Sequence, residues 1–87
     1  MARIELTEES HKLFMEYAED AGNWDGNPWV SDGNVECGRE RRGNLSDLVK
    51  KGLIETAEYE PGSCYVIFTK LGKMYAKSRG EDLSWID

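Results

Sequence analysis

The chain has 87 residues, 39% hydrophobic and 32% charged, with a formal net charge of −6. A chain of this length supports one modest core, burying only about 60% of the surface it exposes when unfolded. Its acidic balance argues against a general nucleic-acid coat. No apolar run approaches the roughly 20 residues that a membrane-spanning helix needs, and the opening MARIELTEES has no apolar core of a secretory signal. The two cysteines, Cys37 and Cys64, and the single histidine, His11, do not form a zinc-ligand pattern. Neither a metal nor a cofactor is expected. The cysteines read as free thiols of a cytoplasmic protein, with a Cys37–Cys64 disulfide as the alternative.

In chain order, the first predicted element is a helix. Thr7 is a candidate N-cap, and Glu8 and Glu9 fall in the first turn, where the helix dipole favours anions. Leu13, Phe14, Tyr17, Ala18 and Ala21 form its apolar stripe, and Gly22 is a natural stop. His11 lies on the flank of the stripe and reads as a solvent-edge or packing histidine, not a catalytic one. Residues 22–38 follow, rich in glycine and asparagine, with the turn dipeptides Asp25-Gly26 and Asp32-Gly33. Trp29-Val30 and Val35 each suit a short strand, and Trp24 and Trp29 read as lids on the core.

A second helix is predicted over 39–51, with Leu45, Leu48 and Val49 buried. At about 100° per residue, Arg39, Glu40, Gly43, Ser46, Asp47 and Lys50 take the opposite face, flanked by Arg41, Arg42 and Asn44. Gly43 leaves two versions open: one continuous helix, or a helix that begins at Leu45 with Asn44 as its cap. After Gly52 the pattern changes to alternation, which predicts a hairpin over 53–59 and 64–69 around Pro61-Gly62. Thr69 is a candidate cap for a last helix over 70–79, with Leu71, Met74, Tyr75 and Ser78 on one side and Gly80 as its stop. Residues 1–80 thus read as one domain. Residues 81–87 read as an acidic tail whose Leu83 and Trp85 fold back onto the core.

Charge is distributed in blocks. Residues 1–37 carry −7, 38–51 carry +3, 52–69 carry −3, 70–79 carry +4 and 80–87 carry −3. Two basic islands therefore sit in an acidic chain, and local charge decides where a phosphate docks.

The stretch LSDLVKKGLIE, with the hairpin and IFTKLGKMYAK after it, resembles the recognition helix, wing and following helix of MarR-like and PadR-like regulators. The Arg-Gly-Asn-Leu-x-Asp-Leu core also resembles small uncharacterised phage and prophage proteins. The resemblance covers residues 39–79. It implies an α+β, winged helix-turn-helix-like fold of about three helices with a small antiparallel hairpin, and a role in DNA binding and transcription regulation. Three features depart from the regulator pattern. Residues 22–38 are too rich in glycine and asparagine for an ordinary first helix of the helix-turn-helix pair. The wing carries Glu55, Glu58 and Glu60 without a lysine or arginine. No long dimerisation helix follows.

The candidate partner is double-stranded DNA. Arg39, Arg42, Asn44, Ser46 and Lys50 are the candidate contacts, because arginine pairs with guanine, asparagine with adenine, and cations with phosphates. Lys70, Lys73 and Lys77, along one side of the last helix, form a candidate second phosphate contact. The alternative for both islands is a solvated helix face, and the i, i+4 spacing of Asp47 and Lys51 supports it. The alternative function is an acidic protein-interaction module on the same fold, suggested by the wing and the three tryptophans. No nucleophile–base pair, carboxylate dyad or phosphate loop is visible, so no enzymatic activity is expected.

Overall fold

The computed structural model describes residues 6–24, 26–31, 41–61 and 63–86, without the side chain of Trp24. Three helices and one antiparallel hairpin follow in the order α1 (Glu8–Trp24), α2 (Arg42–Lys50), β1 (Ile54–Glu60), β2 (Ser63–Phe68) and α3 (Lys70–Ser78). The fold class is α+β, and the layout is winged-helix-like. The expected strand at Val35 lies outside the described residues.

Helix α1 starts where its cap predicts. The Ser10 amide donates to Thr7 Oγ1 at 3.1 Å, and the His11 amide makes the first helical bond to the Thr7 carbonyl at 2.9 Å. Gly22 does not end it, because the helix runs on to Trp24. One glycine costs only about 1 kcal/mol in a helix, and Ala21, directly before it, is held in the core. Leu13, Phe14, Tyr17, Ala18 and Ala21 are all buried, as their spacing requires.

Helix α2 passes through Gly43, so the version beginning at Leu45 does not hold. Its N-cap is Arg41, whose side chain makes no capping bond. Residues 39 and 40 lie outside the described residues. Leu48 is fully buried and Leu45 partly so, but Val49 is 41% exposed. The helix faces α1 through a narrower stripe than expected, which turns Val49 to the rim.

Strands β1 and β2 pair in antiparallel register, Ile54 with Phe68 and Thr56 with Val66, and an irregularity between Glu58 and Glu60 leaves Tyr59 without an opposite residue. A third segment joins on the far side of β2. Trp29 bridges to Tyr65, Val30 N–H donates to the Cys64 carbonyl at 2.9 Å, and Val66 N–H donates to the Pro28 carbonyl at 2.7 Å. Tyr17 secures this segment by donating its hydroxyl proton to the Val30 carbonyl at 2.6 Å. Trp29 is no lid on the core. It sits half-buried on the outer face of the hairpin, edge-on to Tyr65 and Tyr59.

The core lies between α1, the inner face of the hairpin and α3. Phe14 packs edge-to-face on Phe68 and on Tyr75, with ring centroids 5.7 and 5.3 Å apart. His11 and the Tyr75 hydroxyl share a 2.6 Å hydrogen bond, consistent with a packing histidine. In α3 the buried residues are Gly72, Tyr75 and Ala76, whereas Leu71 and Met74, expected on one side with Tyr75, are 40% and 48% exposed. Gly72 is the reason for this turn. A Cβ there would stand 1.9 Å from the Leu53 carbonyl oxygen, so the helix lies backbone to backbone against the start of the hairpin. That approach commits the Gly72 side inward and carries Leu71 and Met74 outward.

The tail docks, but with a different anchor. Leu83 and Ile86 are buried, while Trp85 is 49% exposed. The Glu81 amide donates to the Ala76 carbonyl, the Ile86 amide to the Leu83 carbonyl, and Lys73 Nζ to the Ile86 carbonyl. This short turn puts residues 83 and 86 on the same side and rotates Trp85 away.

Two outcomes follow. Gly72→Ala is expected to destabilise the fold by about 2 kcal/mol or more, since overpacking here strains backbone rather than a flexible side chain; urea denaturation measures it. Ile86→Ala is expected to lower stability by about 2–5 kcal/mol, and Trp85→Ala by much less, in the same denaturation series.

Candidate functional site

Nine residues of α2 hold most of the expected site. Arg42, Ser46 and Lys50 recur every four residues, so at about 100° per residue they form one stripe, opposite Leu48. All three are exposed. Their side chains have no hydrogen bond or ion pair among the described residues. Gly43 is exposed on the same side, and nothing stands within 4 Å of where its Cβ would be. The face is therefore open and shallow.

The flanks are committed elsewhere. Asn44 turns toward α1, where its Oδ1 accepts a 3.3 Å hydrogen bond from the buried Ser10 hydroxyl. Arg41 reaches Glu16 of α1 through two nitrogen–oxygen contacts of 3.1 and 2.6 Å. The hydrogen bond to Arg41 holds the Glu16 carboxyl below the ordinary glutamate range, against the opposing effect of burial. Lys51 pairs with Asp47 at 3.5 Å, the i, i+4 pair read from spacing. Thus α2 divides: Asn44 and Arg41 fasten the helix to α1, and Arg42, Ser46 and Lys50 face outward. Arg39 lies outside the described residues.

The second basic island does not act as one row. Lys70 and Lys77 are exposed on the outer side of α3, about 10 Å apart along the axis at 1.5 Å per residue. Lys73 is drawn to the tail through its bond to the Ile86 carbonyl. Lys70 stands closest to α2 in the connection. Thr69, immediately before it, donates its hydroxyl proton to the Gly52 carbonyl at 2.6 Å, bringing the start of α3 beside the end of α2, where Lys50 and Lys51 sit. Arg79 lies 5.2 Å from the centre of the Tyr75 ring, a cation–π contact that occupies the last cation of the island.

The wing's carboxylates lie along a strand that leaves this junction. Glu55, Glu58 and Glu60 are all exposed. At about 3.3 Å per residue, Glu58 and Glu60 stand roughly 13 and 20 Å along β1 from Ile54, beyond the Debye length of about 8–10 Å at moderate salt. Glu55 is the wing carboxylate nearest the end of α2.

Cys64 is a half-buried free cysteine on β2, and Cys37 lies outside the described residues. Among the described residues, no three histidine, cysteine or acidic side chains are placed to hold a metal ion, and no helix is long and apolar enough to cross a membrane. No protein-family model, curated protein or solved structure matches this chain. Two features were not read from the sequence: the Glu16–Arg41 tie, which joins helices 25 positions apart, and the aromatic group Trp29, Tyr59 and Tyr65. The second had a signal in the runs themselves, since Tyr65 and Tyr59 both lie in predicted strands.

The Glu16–Arg41 pair has a pH signature. Because the carboxyl's folded pKa is depressed, its stabilising effect is present above the ordinary glutamate value of about 4.3 and lost as pH falls through the lower folded value. The stability difference between the protein and Arg41→Ala, followed by denaturation from pH 7 to 3, is expected to be level above about pH 5 and to shrink below it.

Proposed function

We propose that this chain is a small winged helix-turn-helix module that binds double-stranded DNA through the outer face of α2, as a regulator does. What carries the reading is one observation: Arg42, Ser46 and Lys50 form an exposed stripe on a short helix, unpaired among the described residues, while the neighbouring Arg41 and Asn44 anchor that helix to α1. A reading helix needs both halves of this arrangement, a rigid back and a polar front with donors for phosphate and base edges. Lys70 extends the surface at the α2–α3 junction. The shallow Gly43 side allows close approach of a backbone. The wing takes no part in DNA contact, because its three glutamates would face phosphates.

Affinity in this reading comes mostly from phosphate neutralisation, so it falls steeply with salt. Mixed-sequence duplex DNA titrated at two salt concentrations is expected to bind salt-sensitively. Arg39→Ala, Arg42→Ala and Lys50→Ala are each expected to weaken binding with the fold intact and to reduce the log–log salt slope by about 1. Asp47→Ala is expected to tighten it modestly, by removing a carboxylate from beside the phosphates. Absence of salt-sensitive binding at low salt refutes the proposal.

A further inference from the structure

The acidic wing, unused in DNA contact, has the geometry of a docking edge. In the two-stranded sheet β1 pairs with β2 alone, and the Pro28–Val30 segment joins on the other side of β2. Among the described residues, the outer edge of β1 is therefore open. The register shows which groups it offers. Val66 N–H donates to the Pro28 carbonyl and the Cys64 carbonyl accepts from Val30 N–H, so both residues turn their main-chain groups away from β1. Their register partners are Thr56 and Glu58. Opposed residues of an antiparallel pair either exchange both hydrogen bonds or exchange neither. Thr56 and Glu58 accordingly direct N–H and C=O groups out of the open edge.

The side chains at that edge select the occupant. Residues 52–69 contain three glutamates and no lysine or arginine, and Glu55, Thr56, Glu58 and Glu60 are all exposed. Tyr59, released by the strand irregularity, is 72% exposed and stands edge-on to Trp29, ring centroids 5.8 Å apart. At that exposure its ring is accessible to a cation. A second copy of β1 would bring the same three carboxylates against these, which like-charge repulsion across strands disfavours.

We propose that the open edge of β1 is a docking site for an extended segment of a partner protein bearing lysine or arginine at alternate positions, which adds as a strand opposite Thr56 and Glu58 and sets its cations on the sheet face that carries Glu55 and the Tyr59 ring. Main-chain hydrogen bonds hold the segment and the carboxylates choose its charge, the division of labour common to strand addition. The wing edge and the DNA-facing stripe of α2 lie on different elements, so the module has one surface for each partner.

The probe is an acetylated, amidated octapeptide of alternating lysine and valine, titrated into the whole chain and followed by fluorescence anisotropy and by amide NMR shifts. It is expected to bind with its largest shifts at Thr56 and Glu58. The glutamate–valine counterpart and a lysine–valine peptide N-methylated on one edge are each expected to bind at least tenfold more weakly. Glu55→Lys with Glu58→Lys, and separately Thr56→Pro, which removes an outward N–H while sparing the β1–β2 ladder, are expected to cause the same loss, and Arg42→Ala none. Shifts centred outside β1, equal binding by the N-methylated peptide, or unchanged binding to the double lysine variant would overturn the proposal.

Discussion

The fold turns on one hydroxyl group and one missing methyl. Thr69 Oγ1 accepts from the Gly72 amide at 2.9 Å, capping α3, and shares its proton between the Gly52 and Leu53 carbonyls at 2.6 and 3.0 Å. The same threonine's amide donates to the Leu53 carbonyl at 3.2 Å. Three elements end or begin within these residues: α2 exits through Gly52 at φ +77°, β1 starts after Leu53, and α3 starts after Thr69. Because Gly72 lies against the Leu53 carbonyl with no room for a Cβ, the direction of α3 is tied to the exit of α2. Everything the surface presents near α2 inherits its position from this joint.

One consequence is the separation of charge. The basic stripe of α2 and the carboxylates of β1 are neighbours in sequence, and in a flexible chain they would largely neutralise each other. The turn at Gly52 and the rigid pairing of β1 with β2 carry Glu58 and Glu60 away along the hairpin instead. Opposite charges thus occupy different elements at distances where salt screens them. A chain of net −6 can in this way keep a locally positive face. The ties on the inner side of α2, Ser10 to Asn44 and Glu16 to Arg41, use polar side chains that also look suited to nucleic acid by residue type alone. Their neighbours Arg42, Ser46 and Lys50 differ from them only in the direction they point.

The apolar periodicity of α1, the alternation after Gly52, and the caps at Thr7 and Thr69 were legible because each depends on contacts within a few residues: a dipole, a 3.6-residue repeat, a hydroxyl beside a free amide. They determined three helices, a hairpin and the α+β class. The rotation of each helix about its axis was not legible. Val49 is apolar and adjacent to Leu48, yet it faces out. Leu71 and Met74 yield the inner face of α3 to Gly72 and Ala76, since only small residues permit the backbone approach at Leu53. Trp85 yields its place to Ile86 for a similar reason, because the Leu83–Ile86 turn, not hydrophobicity, selects which tail residue points inward. Sequence by itself therefore determined the elements and the charge each one carries. Tertiary structure alone decided which side of each element meets the core, because that choice depends on backbone distances between segments far apart in the chain, and no local pattern encodes them.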